Sequence, residues 1–307
     1  MSEPAALAAA IQKWKSTFAG ATTNTEMIDL ATAVHLAENK DFSSTVKVEK
    51  GLKYGSDPRQ RLDVYYPISA TPESNLPVAF YFHGGGMLYG DTEITPLFYA
   101  NIGNYFASNS CITVVSTYRL LPTAHHPDGA EDATAALSWT LANASKYGGD
   151  PARIAAMGHS AGGSCIGTAL WGGFLEKAGI QKKISSYIFL SAGLWYDVWG
   201  EPTRTNMTAY HSTTDIERVK REDPGSLFAQ ADKATMESWG KMVFFLGEFE
   251  FTEIVNGTMG CMEAWRKTTD RCLFYETIEA ENHVSYIYSL GTKGSKIGPR
   301  LLEIVTK

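Results

Sequence analysis

Residues Gly158-His159-Ser160-Ala161-Gly162 fit the pattern G-x-S-x-G. A serine between small residues can sit on a sharp strand-to-helix turn that lifts its hydroxyl clear of the backbone. The pattern means this only in that setting. The chain supplies the setting: the apolar run Ile154-Ala155-Ala156-Met157 precedes it, and an apolar segment rich in small residues follows. The chemistry implied is nucleophilic attack on a carbonyl carbon. Glycines that merely let a helix approach a strand are the structural alternative.

Such an attack leaves a negative oxygen that needs donors. His83-Gly84-Gly85-Gly86 follows a second apolar run, residues 77–82 (PVAFYF). A glycine run after a buried strand exposes backbone N–H groups above the sheet. Gly85 and Gly86 are assigned as oxyanion donors, with the N–H of Ala161 as their partner. His83 is expected to hold this loop by hydrogen bonds. Phosphate binding is the rival use of the glycines, but neither G-x-G-x-x-G nor G-x-x-x-x-G-K-[ST] occurs.

Serine needs a general base that titrates near neutrality, and histidine suits that role. Of His35, His83, His125, His126, His159, His211 and His283, only His283 follows the last strand-like run. It is assigned as the base. The His159 side chain is expected to point away and pack locally. His125 and His126 would bind a metal only with added ligands, none of which the sequence shows. A carboxylate must orient the base. Glu248, Glu250 and Glu253 compete after the run MVFFL. Glu250 is preferred because it lies far enough beyond Gly247 to turn toward His283. The order Ser160, Glu250, His283 results.

The elements that must carry these residues are legible as a βα series. Apolar runs at 77–82, 111–116, 154–157, 187–190 and 242–246, and one opening at 272–275, read as strands buried on both faces. Helices are expected over 128–144 and 161–178. Ahead of them, Val46 and Val48, then Leu62, Val64 and Tyr66, alternate like two half-buried antiparallel strands joined through Gly55-Ser56-Asp57-Pro58. Residues 5–18 and 27–36 read as helices. The expected fold is α/β: a mostly parallel eight-stranded sheet covered by helices on both faces. About 50 residues between Leu190 and Met242 lack a buried strand, too many for a structureless loop. A mostly helical cap is expected there, on one domain spanning 1–307, with cap segments at 1–40 and about 194–236.

Composition narrows the function. The 307 residues are 44% hydrophobic and 20% charged, as in an ordinary globular chain. Thirty-three acidic against 27 basic residues give a net charge of -6, which argues against nucleic acid as a partner. Cys111, Cys165, Cys261 and Cys272 form no CxxC and are expected to be four free, buried thiols. No apolar run approaches membrane-spanning length, and the N-terminus reads as a helix, so a cytoplasmic location is expected.

At this point the sequence resembles the α/β-hydrolase superfamily, specifically the hormone-sensitive-lipase-like carboxylesterases (α/β-hydrolase fold-3). The resemblance rests on His83-Gly84-Gly85-Gly86, Tyr118-Arg119-Leu120 with Pro122 and His126-Pro127, Glu131-Asp132-Ala133, Gly158-His159-Ser160-Ala161-Gly162-Gly163, Gly247-Glu248-Phe249-Glu250 and Asn282-His283. It implies a triad of Ser160, Glu250 and His283, oxyanion donors Gly85, Gly86 and Ala161, and Arg119 paired with Glu131 or Asp132. Two departures stand out: His159 and Glu250 occupy positions where that family usually has Asp. The texture also resembles cytosolic fungal members.

The reaction expected is hydrolysis of a small to medium apolar or aryl carboxylic ester through an acyl-enzyme on Ser160, without metal or organic cofactor. Met87, Leu88, Tyr89, Leu194, Trp195, Tyr196, Trp199, Phe249 and Phe251 are the candidate pocket residues. An arylformamidase like the kynurenine formamidases, a lactonase, an amidase, or an acyl-transfer or cyclisation catalyst of secondary metabolism would use the same machinery. A small-molecule receptor on the same fold is the non-enzymatic alternative. A homodimer is possible on the same resemblance.

Overall fold

A computed structural model describes residues 1–17, 21–38, 40–198 and 200–307, with residues 21–23 by backbone alone. Helices α1 (Glu3–Trp14) and α2 (Ala21–Glu38) come first, then strands β1 (Val46–Lys53), β2 (Arg61–Pro67) and β3 (Leu76–Phe82). Next are α3 (Ala100–Ser108), β4 (Ile112–Ser116), α4 (Asp128–Asn143), β5 (Gly149–His159), α5 (Ala161–Trp171), α6 (Phe174–Lys177) and β6 (Ile184–Leu190). Four short helices follow: α7 (Thr203–Tyr210), α8 (Ile216–Glu222), α9 (Pro224–Ala229) and α10 (Lys233–Ser238). The chain closes with β7 (Met242–Phe249), α11 (Thr252–Thr269), β8 (Phe274–Asn282), α12 (Ser285–Tyr288) and α13 (Ile297–Thr306).

The eight strands form one sheet in the order β1-β2-β4-β3-β5-β6-β7-β8. β2 runs antiparallel to β1 and to β4, and the remaining pairs are parallel. This is the mixed, mostly parallel sheet expected from the unbroken apolar runs. Alternation along each strand divides the core in two. Phe80, Phe82, Ile154 and Ala156 face α4, α5 and the α7–α10 segment. Ala79, Tyr81, Ala155 and Met157 face α1, α2, α3, α12 and α13. Phe80, Phe82, Phe189 and Phe244 are at most 1% exposed. Each contributes about 1.5–3 kcal/mol by leaving water.

Register decides where the chemistry sits. Phe82 is level with Gly158, His159 with Leu190, and Phe249 with Asn282. The residues just past the carboxyl ends of β3, β5, β7 and β8 therefore gather along one rim. Chain order reverses there, since β3 has β4 on one side and β5 on the other. Parallel α/β sheets bind ligands at such a reversal.

Several boundaries differ from the sequence reading. The helix expected over 161–178 is two helices, because Gly172 and Gly173 intervene and Gly173 takes φ +78°. Helices α3 and α12 were not anticipated. Cys111, Cys165 and Cys261 are buried, but Cys272 is exposed, which corrects the expectation of four buried thiols. It lies between α11 and β8, and β8 is an edge strand with only β7 beside it. All four thiols are free. No described helix is long and apolar enough to cross a membrane.

Candidate active site

Ser160 joins β5 to α5 with φ 51° and ψ -118°. A non-glycine residue is strained in this region. Backbone bonds hold it there: its N–H donates to the Leu190 carbonyl at 2.9 Å, and its carbonyl accepts from Ser164 at 3.1 Å and Gly193 at 3.2 Å. The turn is possible because its neighbours lack side chains. A Cβ on Gly162 would stand 2.3 Å from the Phe82 carbonyl oxygen. A Cβ on Gly84 would stand 2.7 Å from His159 Nδ1 and 3.1 Å from Ser160 Cβ. The glycine loop after β3 thus lies directly against the serine turn.

That loop is pinned from behind. His83 is fully buried; its Nδ1 donates to the Gly84 carbonyl at 2.7 Å, and its Nε2 accepts from Thr117 Oγ1 at 2.9 Å. Burial holds its pKa down at about 4, so the ring stays neutral. The Tyr118 ring stacks on it at 4.4 Å, and the Tyr118 hydroxyl donates to the His83 carbonyl at 2.8 Å. Arg59 donates to Thr117 Oγ1 and to the carbonyls of Gly90 and Tyr118. Arg61 pairs with Asp91 at 2.7 Å. His83 therefore holds the loop, as expected, but the arginines of β2 and its preceding turn that support it gave no signal in the sequence.

His283 follows β8. The Asn282 side chain accepts from the N–H groups of Val284 and Ser285 at 3.2 and 3.0 Å, which turns the chain out of the sheet. His283 Nδ1 lies 2.7 Å from Glu250 Oε1, and the two side chains are 8% and 1% exposed. Glu250 stands one residue past β7. Glu248 instead accepts the N–H of Ala280 at 2.6 Å, and Glu253 is exposed in the first turn of α11. Phe251 packs against the His283 ring at 4.9 Å.

His159 departs from expectation. Its ring does not point away: it lies 4.9 Å from the His283 ring, and its Nε2 donates to the His283 carbonyl at 2.8 Å. The side chain follows the pleat of β5 toward β8 rather than solvent. Burial, then the neighbouring His283, depress its pKa to about 3. His159 is thus a neutral strut under the His283 loop.

A cavity of about 170 Å³ opens at Ser160, lined by Gly86, Met87, Ala161, Ser164, Gly193, Tyr196, Thr203, Asn206 and Met207. The Ala161 N–H is the first of α5 and so has no partner within the helix. Ser160, Gly86, Ala161, Met87 and Tyr196 are thus brought together as anticipated, while Gly85 does not line the cavity. Other pocket candidates lie elsewhere. Leu194 is core, Tyr89 is 73% exposed, and Leu88 is half-buried away from the cavity. Trp195 packs across Gly225 and Gly260 and borders a separate surface cleft. Phe249 and Phe251 lie on the Glu250 side. Trp199 lies outside the described residues. Ser164, Gly193, Thr203, Asn206 and Met207 were missed. The last three come from α7, whose placement over the sheet no local motif encodes.

Arg119 is bound at the rim by Asp132 at 2.9 Å, Asp128 at 3.2 Å and Glu131 at 3.4 Å, a structural cluster as expected.

A protein-family model described as BD-FAE matches residues 62–192, from β2 through the serine turn to the end of β6. Carboxylesterase NlhH of Mycobacterium tuberculosis is 41% identical over 102 residues, 33% of this chain and 30% of that protein. Versiconal hemiacetal acetate esterase of Dothistroma septosporum is 39% identical over 89 residues, 29% of this chain and 26% of that protein. The chain thus aligns with under a third of the length of these curated relatives. The crystal structure of esterase B from Lactobacillus rhamnosis superposes over 99% of this chain and 96% of that one, with a TM-score of 0.67 at 18% identity. Sheet order, the serine turn and this whole-chain superposition together give the chain the α/β-hydrolase fold of the esterases.

Proposed function

We propose that the chain is a serine carboxylesterase acting on small to medium esters. The observation that carries this is the buried 2.7 Å pair of His283 and Glu250, set beside the strained turn that presents Ser160 to a cavity. Ser160 Oγ attacks the ester carbonyl carbon while His283 Nε2 takes its proton. Glu250 keeps the imidazole oriented and stabilises its charged form. The carbonyl oxygen, now negative, receives the N–H groups of Gly85, Gly86 and Ala161. The C–O bond to the leaving group breaks, and His283 returns the proton to the departing alkoxide. Water attacks the acyl-enzyme by the same route and frees the acid and Ser160.

Helices α7–α10 are read as one cap segment of a single domain, and α1 and α2 as a second segment packed on the other face of the sheet. The motifs His83-Gly84-Gly85-Gly86 and Gly158-His159-Ser160-Ala161-Gly162-Gly163 support a hormone-sensitive-lipase-like reading within the esterases, and the likeness to an esterase of Dothistroma septosporum supports a fungal type. The test is intact-mass analysis after treatment with a fluorophosphonate. A single adduct on the wild type, absent from Ser160→Ala, is the expected result. Equal labelling of both proteins would remove Ser160 from the mechanism.

A further inference from the structure

Away from Ser160, the structure gathers His126, His211 and Glu222, with one donor atom of each within 4.8 Å of the others. His126 lies just ahead of α4, His211 just past α7, and Glu222 ends α8. No ligand partner for His126 is legible along the chain, because the other two arrive from a distant insertion. His211 Nδ1 stands 2.9 Å from Glu222 Oε2, and His126 Nε2 stands 4.0 Å from the same oxygen. The two rings stack at 4.4 Å, so the partly exposed His126 ring must turn for both lone pairs to reach one ion.

We propose that His126, His211 and Glu222 bind a transition-metal dication of the zinc class, fastening the α7–α8 segment to the loop ahead of α4. Two imidazoles and one carboxylate suit zinc or cobalt and leave a fourth position for water. Donors about 2.0–2.2 Å from such an ion stand roughly 3.3 Å apart, and the 2.9 and 4.0 Å separations bracket that value. Binding needs neutral imidazoles. Arg218 Nε grips the other oxygen of Glu222 at 2.9 Å, which orients Oε2 toward the histidines. Because α7 carries Thr203, Asn206 and Met207, the ion would steady one wall of the cavity at Ser160. The proposal does not depend on the reaction assigned to Ser160.

The test uses the full chain with Cys272→Ser, which removes the exposed thiol as a competing ligand. Cobalt(II) and zinc(II) are titrated by calorimetry, with cobalt also followed by visible absorption. One ion per chain, a d–d band of low-symmetry cobalt and a melting temperature raised by about 5 °C at hundredfold excess over Kd are expected. His126→Gln and Glu222→Gln, both at partly exposed positions that leave the core intact, are expected to weaken binding at least about tenfold. Absence of stoichiometric binding by the folded protein, or affinity that either variant leaves unchanged, overturns the proposal.

Discussion

Glu250 Oε1 and His283 Nδ1 meet at 2.7 Å in a place almost closed to water, and the same Glu250 oxygen accepts the N–H of Phe251 at 2.9 Å. The backbone contact fixes the carboxylate in place as the histidine's partner. Glu250→Gln is therefore expected to lower kcat by about three to four orders of magnitude with little change in KM. Glu253→Gln, at an exposed position on α11, is expected to stay near wild type. Steady-state kinetics on a p-nitrophenyl ester checks both, and the reverse ranking would transfer the role to Glu253.

The glycine loop is expected to tolerate little. Gly85 has φ +125°, and a Cβ there would stand 2.1 Å from the Tyr89 carbonyl oxygen. Gly86 has φ +63° but open space around it. Gly85→Ala should displace the loop and cost about two to three orders of magnitude in kcat. Gly86→Ala should cost less. Circular dichroism separates a displaced loop from an unfolded chain.

The cavity of about 170 Å³ favours short acyl groups. In a series of p-nitrophenyl esters, kcat/KM for acetate and butyrate is expected to exceed that for decanoate by about tenfold or more. Met207→Ala, which removes a cavity wall, should narrow that gap. A flat chain-length profile would show that the acyl group binds elsewhere.

Two buried rings and one partly buried ring set the acid limb of stability. The ordinary histidine value of 6.5 falls to about 4 for His83 and His126 and about 3 for His159, each chiefly through burial. The unfolded chain takes up these protons first. Their stabilising contribution is therefore full above pH about 6.5 and is lost as pH falls toward 4 and then 3. Urea unfolding at pH 7, 6 and 5 should show the decline, and His159→Asn should make it shallower by about one proton.

Asp223 works in the opposite sense. Burial raises its pKa from 3.8 to about 7, against the Ser226 N–H that its side chain accepts at 2.6 Å. A raised acid contributes fully below about pH 3.8, and its contribution is lost as pH rises through 7. Asp223→Asn keeps the cap on α9 and removes the buried charge. It is expected to stabilise the chain by about 1–3 kcal/mol at pH 8 and to matter little at pH 4. Thermal melts at the two pH values check the sign.

Much of this was legible because it is local. Phe80, Phe82 and Ile188 sit in apolar runs that only a strand covered on both faces explains, and Gly158 to Gly162 encode their turn within five residues. Glu250 and His283 were readable because each follows a recognisable strand end. His159 was misread because its direction depends on β8 lying three strands away, beyond β6 and β7. Thr203, Asn206, Met207 and the partners of His126 were invisible for a related reason: the lie of α7 and α8 on the sheet is set by packing between distant segments, and short helices carry weak periodicity.

Arg59 occupies the turn between β1 and β2, at the sheet margin opposite β8, yet its guanidinium reaches Thr117, which bonds the imidazole that holds Gly84. The outermost hairpin is thus mechanically linked to the groups that would stabilise a reaction intermediate. Inherited or engineered lesions in that hairpin should surface as slow turnover in a well-folded, soluble protein, long before they surface as loss of expression.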